Sequence, residues 1–493
     1  MLKASPDGRG VGACHRRLRF ALVASALLSG FCAASSAQQT GGSVVQPASP
    51  LPVTVPQINS GTYQGSVTTE SARPAVLPLS LDDAVSRGLR HNLGLILTSQ
   101  NGLSAHGQEL DQLQALLPSV DANIKESVQQ TDLQAQGLRI AGFPSIIGPF
   151  GYTDVRATMK WSLLNLSALQ NYLASKHNFE GTKLSLADAR DLVVLTVGNA
   201  YLTCIADKSR IDAEQAQVNA SKLSLDQAQS NHTAGTAPLI DELRARVDYQ
   251  SQQQSLITAQ NAYGKDRIAL ARTIGLSLDQ KFTLTTTAPY ASLDTISADD
   301  AVKEALALRS DLKAMREQLR AAEHARKAAT DERLPVIGFS GDYGDTGVNL
   351  AHSHGTGSAT GTLDAPLFEE AKLRGDAKQA QSQLDQMRAR VSDIQGQISA
   401  DVRDSILDIQ AAQKQVAVSS SNVDLAREAL TEAQERYKAG VADNLAVSQA
   451  LAALAQADMQ YVNSLYEHNI AKLSLARALG VSGSNYKQYV GGK

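Results

Sequence analysis

Two long stretches of the chain place apolar or small residues mostly at steps of three and four, the spacing of helices that pack along one side. The first extends from about Ser167 to His232 and the second from about Glu369 to Lys438. The second stripe consists of Ile398, Val402, Ile406, Ile409, Ala412, Val416, Val423, Ala426, Leu430, Ala433 and Tyr437. At 1.5 Å per residue, each pattern predicts a helix of roughly 100 Å, far longer than the helices of ordinary globular domains.

A glycine turn follows each long pattern, and a shorter helical pattern follows each turn. The turns contain Gly235 and Gly440, and the shorter patterns extend over Pro238–Thr273 and Asp443–Ala478. Glycine supplies the left-handed cap that ends a helix, and Pro238 suits the first turn of the next one. Each long helix is therefore expected to form a hairpin with the shorter helix after it.

A further helical pattern opens each half of the chain. Segments in which apolar and polar residues alternate separate this pattern from the long helix. The opening helices are expected at about Ser80–Leu113 and Ala298–Asp331, with Ser80 and Ser297 as N-caps. Period-two alternation of apolar and polar residues then predicts four strands, at about 117–130, 153–163, 334–345 and 357–367.

The strands have the length and the two-faced character of membrane strands. Each has about ten residues, which a tilted strand needs to cross a bilayer, with one apolar face for lipid and one polar face for water. Four strands leave open edges that hydrocarbon does not tolerate, so the chain is expected to oligomerise. Two copies would give eight strands and three would give twelve. Trp161 lies near a strand end, where an indole ring favours the membrane interface.

The two halves are copies of one unit. Asp82-Asp83-Ala84-Val85 returns 217 residues later as Asp299-Asp300-Ala301-Val302, whereas Ala234-Gly235 returns 205 residues later as Ala439-Gly440. The first copy therefore carries 12 additional residues, expected in its strand-connecting segment around Thr131–Phe150. We assign the first structural repeat to 77–290 and the second to 291–482, with a C-terminal tail at 483–493.

The N-terminus has the pattern of an export signal. Basic Arg16, Arg17 and Arg19 precede a short apolar run, and small residues end at Ala37, which predicts a signal peptide at 1–37. A lipoprotein signal at Cys32 is the alternative. Residues 38–76 are rich in Pro, Gln, Ser and Thr and lack a helical period, so we expect a largely unstructured leader.

Composition and motifs argue against nucleic-acid binding and catalysis. The chain carries a formal net charge of −3, and removing residues 1–37 lowers it to −7, so no basic footprint for phosphates is present. Cys204 then remains alone, without a disulfide partner. His352 and His354 lie in a Gly/Ser-rich stretch without further ligands at metal spacing. We therefore expect no enzyme activity, no cofactor and no metal site.

With these elements in place, the chain resembles the TolC-type outer membrane efflux proteins over residues 77–480. The resemblance is carried by five segments, present in this order: Leu79-Ser80-Leu81-Asp82-Asp83-Ala84-Val85, Leu116-Leu117-Pro118-Ser119-Val120, Asp364-Ala365-Pro366-Leu367-Phe368, Arg436-Tyr437-Lys438-Ala439-Gly440 and Leu475-Ala476-Arg477-Ala478-Leu479-Gly480. It implies a mainly α fold with a small β part: a homotrimer with a 12-stranded β-barrel in the outer membrane and an α-barrel of long helical hairpins extending into the periplasm. It also implies docking onto an inner-membrane transporter through a periplasmic adaptor.

The resemblance further implies acidic residues just beyond the hairpin turns, at a narrow periplasmic mouth. Asp241 and Glu242 occupy that place after Gly235 and Pro238, whereas after Gly440 the second copy offers Asp443 alone. Stabilisation of the first helical turn by its dipole is the alternative role for Asp241 and Glu242.

The favoured hypothesis is an export channel of a tripartite system, which passes small toxic compounds or secreted protein from an inner-membrane transporter to the exterior. The competing hypothesis is a periplasmic coiled-coil protein without a pore.

Overall fold

The computed structural model describes residues 63–68, 71, 72, 74–135, 137, 141–286, 290, 297–442 and 444–490. The predicted signal peptide, most of the predicted leader and Asp443 lie outside the described residues.

The fold is mainly helical, with two small sheets. The helices are α1 (Leu81–His91), α2 (Leu93–Gln114), α3 (Leu166–Thr233), α4 (Leu239–Thr273), α5 (Ala298–Leu308), α6 (Ser310–Asp331), α7 (Glu370–Lys438), α8 (Asn444–Ala478) and α9 (Ser482–Val490). The strands are β1 (Leu77–Leu79), β2 (Ser119–Asp132), β3 (Ile146–Leu164), β4 (Phe282–Leu284), β5 (Val336–Gly347) and β6 (Ser353–Asp364). The long helices α3 and α7 pack on α4 and α8, respectively, as two hairpins.

Each opening helix predicted as continuous is broken into two. Asn92 adopts extended backbone angles (φ −65°, ψ 127°), and its side chain accepts hydrogen bonds from the amides of Gly94 and Leu95, which caps α2. Arg309, at the equivalent place of the second repeat, is also extended (φ −57°, ψ 125°). Ser80 caps α1 and forms a reciprocal pair with Asp83, whereas the side chain of Ser297 makes no capping bond.

Equivalent residues of the two repeats form equivalent cores. Val193 and Val197 of α3 pack with Leu270 of α4. Ile398 and Val402 of α7 pack with Leu475 of α8, in the same arrangement. All six side chains are fully or almost fully buried. These apolar residues of the sequence pattern thus hold each hairpin together at the end far from its turn. The opening helices pack against the same clusters.

The helices form a layer whose order can be read from their packing. α4 packs on α3, α3 packs on α8 and α8 packs on α7. Nearer the strands, α6 lies between α3 and α7. Among the described residues, α4 and α7 are therefore the outermost long helices of the protomer.

Strands β2, β3, β5 and β6 form one antiparallel sheet in that order. The register pairs Val120 with Met159, Ala157 with Tyr343, and Ile337 with Leu363. The alternating apolar side chains of all four strands consequently share one face. That face is open to solvent in the protomer, as Ile124 with 77% exposure illustrates.

The hairpin β2–β3 is longer than β5–β6, so it contains the additional residues of the first repeat. Part of the stretch predicted as a loop is strand, since β3 begins at Ile146, which pairs with Asp132. The hairpin connection is therefore shorter than the alternation suggested.

The end of the predicted leader is attached to the helical body. The amide of Val67 donates to the carbonyl of His91 (2.8 Å), and Leu93 donates to Gly65 (2.9 Å). β1 then pairs with β4 in a parallel two-stranded sheet, and the hydroxyl of Tyr201 donates to the carbonyl of Leu79 (2.9 Å).

Candidate functional site

The two hairpin turns have the same geometry. Gly235 and Gly440 have φ of 72° and 71°, in the left-handed region that favours glycine. The amide of Gly235 donates to the carbonyl of His232, and that of Gly440 to Tyr437, which closes the last turn of each long helix. No atom lies within 4 Å of a Cβ placed on either glycine. Both turns therefore project freely from the ends of the hairpins.

The acidic residues after the first turn are paired. Pro238 precedes α4 as its N-cap, and Asp241 and Glu242 lie in the first turn of that helix. Asp241 is buried and lies 3.9 Å from Arg244. Glu242 bonds to Arg246 (2.6 Å). Within a protomer, these contacts and the helix dipole stabilise the start of α4.

Polar contacts connect the tips of the two hairpins. Asn444, at the start of α8, is fully buried, donates to the carbonyl of Asp241 (3.4 Å) and accepts from Ser224 of α3 (3.4 Å). Ser448 donates to the carboxylate of Asp248 on α4. None of these contacts could be identified from the sequence. A buried asparagine in a helical seam is a sequence signal for a fixed register, but its partners lie in the other repeat.

Trp161 lies near the helical end of the sheet, on its apolar face. It is partly exposed, pairs in register with Phe339, and its indole N–H donates to the carbonyl of Leu116 (3.1 Å). The opposite face is polar: Arg156 forms ion pairs with Asp154 (2.7 Å) and Asp342 (3.0 Å). The two faces of the sheet are thus suited to different solvents.

Comparison with known families decides between the two functional hypotheses. Residues 101–276 and 301–481 match the family model described as outer membrane efflux protein. The chain belongs to this family. The two matched ranges lie one in each repeat, and the protein is accordingly an outer membrane protein that serves efflux as a channel rather than a pore-less coiled coil.

Individual members of the outer membrane efflux protein family are distant. The chain is 23% identical to the solvent efflux pump outer membrane protein SrpC of Pseudomonas putida over 455 residues, 88% of this chain and 93% of that protein. It is 24% identical to the pyoverdine export outer membrane protein OpmQ of Pseudomonas putida over 317 residues, 64% of this chain and 66% of that protein. Among solved structures, the Campylobacter jejuni CmeC outer membrane channel superposes with a TM-score of 0.75 at 16% identity, over 88% of this chain and 93% of that one.

The apolar stretch of α3 belongs to the packed core of the helical body. A window of α3 reaches a mean hydropathy of 1.2, which by length and composition alone matches a membrane-crossing helix, but 56% of it is buried within the chain. That window shares α3 with the core residues Val193 and Val197, so its hydropathy reflects packing between helices.

Proposed function

We propose that the chain is the outer membrane channel of a tripartite efflux system and works as a homotrimer. The observation that supports this most directly is that the sheet and the helical layer both end in open edges. Within the described residues, β2 and β6 each pair on one side, and α4 and α7 are the outermost long helices of the layer. Pairing β6 with β2 of the next copy, and α7 with α4, closes both layers by the same rotation. Three copies then give a 12-stranded β-barrel and a continuous α-barrel.

Both open helical edges carry exposed apolar side chains. Exposed apolar residues recur at coiled-coil intervals along both helices: Leu243, Val247, Ile257 and Ile268 on α4, and Leu407, Val418 and Leu425 on α7. A single protomer leaves these stripes in water, and a neighbouring copy buries them.

The sheet supports a membrane location for the barrel. Its exposed apolar face is suited to lipid, while Arg156 and its two aspartates face the water-filled interior. Trp161 then lies at the periplasmic interface of the bilayer, since the strands join the helices at that end.

The hairpin tips are the proposed periplasmic mouth and the docking surface for an adaptor. Exposed apolar side chains surround the turns at Gly235 and Gly440: Leu239, Ile240, Val441 and Leu445. An apolar patch at the far end of a long helical barrel suits a periplasmic adaptor that links it to an inner-membrane transporter. Relatives named for solvent, toluene and antibiotic efflux support small toxic compounds as the substrate class. Passage through the channel requires no catalysis by this chain.

Chemical crosslinking of the purified protein in mild detergent, followed by recording in planar bilayers, tests this function. We expect crosslinking to end at three subunits and the trimer to conduct ions. A monomer that inserts and conducts, or a trimer that forms no pores, would contradict the proposal.

Replacing Gly440 with valine should reduce export while leaving trimers intact. A β-branched residue in the left-handed region costs about 1–2 kcal/mol and is expected to distort the tip, whereas the empty space around Gly440 leaves the rest of the fold untouched. Asparagine tolerates these angles, so Gly440→Asn is the matched control. We expect toxic-compound resistance to fall several-fold in Gly440→Val alone. Equal resistance in all three proteins at equal abundance would place docking elsewhere.

A further inference from the structure

A carboxyl group interrupts the apolar stripe of α3. Asp207 lies one turn after the fully buried Cys204, and it retains 5% exposure. Its Oδ1 lies 3.7 Å from Arg210. Its Oδ2 is buried and accepts no hydrogen bond from any residue in the described part of the chain. A buried carboxylate oxygen without a donor is costly.

A second carboxyl group lies beside that of Asp207. Asp266 of α4 lies within hydrogen-bonding reach of the side chain of Asp207. Two ionised carboxylates have no proton to donate and repel each other. A single proton held between them supplies the missing hydrogen bond and removes one charge, as in other close carboxyl pairs.

No group in the described part of the chain donates to that oxygen, although Arg210 and Arg267 each have a buried Nε–H without a hydrogen-bond partner. Arg210 also donates to Asn463 of α8 (3.0 Å), and Arg267 donates to the carbonyl of Phe282 (2.8 Å). Other titratable groups around the pair include Cys204 and Asp212 on α3, Tyr263 on α4, and Tyr466 and Glu467 on α8. Lys208 and Lys265, next to the pair in sequence, are basic and exposed. Burial, the hydrogen bond with Asp266 and its charge raise the pKa of Asp207 to about 6, against the lowering effect of Arg210.

We propose that Asp207 and Asp266 form a proton-binding site between α3 and α4, and that loss of the shared proton loosens this hairpin. The site lies 26 residues before the end of α3, about 40 Å from the turn along the helix. Arg210, the partner of Asp207, also bonds to Asn463 of α8. Loss of the proton would therefore also affect the contact between the two hairpins. This site is separate from the carboxylates at the tip.

The sign of the effect follows from the raised pKa. The folded protein binds the proton more tightly than the unfolded chain, whose aspartates titrate near 3.8. The stabilisation is therefore complete below that value and is lost as the pH rises through about 6.

The test uses the full-length protein in detergent. The pKa values of other carboxyls, such as Asp188 and Glu467, are also raised by burial, so the pair is identified by difference between proteins. Infrared difference spectroscopy should show a protonated carboxyl band in the wild-type protein, beyond those that all variants share, that falls to half its intensity near pH 6. Asp266→Asn should abolish this band, because its amide donates to Asp207 without a shared proton. The melting temperature of the wild-type trimer should fall by a few degrees more than that of Asp266→Asn between about pH 5 and pH 8. The exposed Asp226→Asn on the same helix is the control and should behave as the wild type.

Two results would overturn the proposal: the absence of a titrating carboxyl band in the wild-type protein, or the same band in Asp266→Asn. If Asp266→Asn does not fold, Asp207→Asn takes its place in this comparison.

Discussion

Replacing Gly344 with alanine is expected to prevent the two strand hairpins from joining. Gly344 lies in β5, opposite Arg156 of β3. A Cβ at this position would lie 2.2 Å from the carbonyl oxygen of Val155 and 2.4 Å from the Cβ of Arg156. The obstructing oxygen belongs to the backbone and cannot swing aside as a long side chain would. We expect a cost of about 3 kcal/mol or more, at the upper end for overpacked sites.

Gly344 lies where β3 pairs with β5, the pairing that unites the strands of the two repeats in one sheet. The cost therefore falls on the formation of that sheet. Without it, each repeat keeps a separate hairpin that cannot close a barrel in lipid. The measurement is the fraction of heat-resistant trimer in isolated outer membranes, on gels of unheated and boiled samples. We expect this fraction to fall at least ten-fold.

Gly361→Ala is the matched control for Gly344→Ala. It places the same methyl group in β6, where no atom lies within 4 Å of the new Cβ. It should assemble as the wild type does. If both variants assembled equally, the close backbone approach at Gly344 would not limit assembly.

The long helices and the faces of the strands could be predicted because they depend on local periodicity. The stripe from Ile398 to Tyr437 is one side of α7, and the alternating residues of the four strands share one face in register. A period of 3.6 sustained over many residues is typical of a helix, and a sustained period of 2 is typical of a strand. The duplication in the sequence also predicted that the two repeats would have equivalent cores.

The breaks at Asn92 and Arg309 could not be predicted in this way, because helical spacing continues on both sides of each. Asn92 is a favourable N-cap by residue type, but the arginine at the equivalent position is not. In the second repeat the arginine at the break bonds to carboxylates on α6 and α7, including Asp401, which lies 92 residues further along the chain. Long-range polar contacts of this kind leave no local pattern.

The polar contacts at the hairpin tips could not be predicted from the sequence for the same reason. The family resemblance implied a mouth at Asp241 and Glu242, but their pairing with Arg244 and Arg246 depends on side-chain conformation. The bond from Asn444 to Asp241 joins residues 203 positions apart. The place of Asp241, Glu242 and Asp443 at a narrow mouth stays a prediction, and the pairing is consistent with the alternative, stabilising role for the first two.

Arg309→Ala is expected to destabilise the protein strongly. The guanidinium is buried at the break between α5 and α6, where it bonds to Asp311 (2.6 Å) and Asp401 (2.8 Å). Burial acts to raise the pKa of Asp311, but the hydrogen bonds and charge of Arg309 outweigh it and hold that pKa below its usual value. Removing the arginine leaves the half-buried Asp311 without its direct ion-pair partner, and breaking a buried pair in this way costs about 3–5 kcal/mol; Arg477 and the amide of Leu312, which also lower the pKa of Asp311, place the expected cost at the lower end.

The pH dependence distinguishes this loss from a packing defect. Because the folded-state pKa of Asp311 is lowered, its ion pair stabilises the protein above the unfolded value of 3.8, and the contribution disappears as the pH falls through the lower folded value. In Arg309→Ala, acid protonates the stranded carboxylate and relieves the cost. The difference in melting temperature between the variant and the wild type should therefore be largest near neutral pH and shrink towards pH 4.

Melting of detergent-purified trimers across this pH range provides the measurement, and Arg403→Ala provides the control. Arg403 pairs with Asp299 on the surface (2.9 Å), where both side chains are more than half exposed. An exposed pair contributes about 0–1 kcal/mol, so Arg403→Ala should melt within a degree or two of the wild type at every pH. A deficit in Arg309→Ala that stayed constant with pH would mean that the arginine acts by filling space. A deficit no larger than that of Arg403→Ala would mean that water compensates Asp311, and that the break between α5 and α6 does not depend on this arginine.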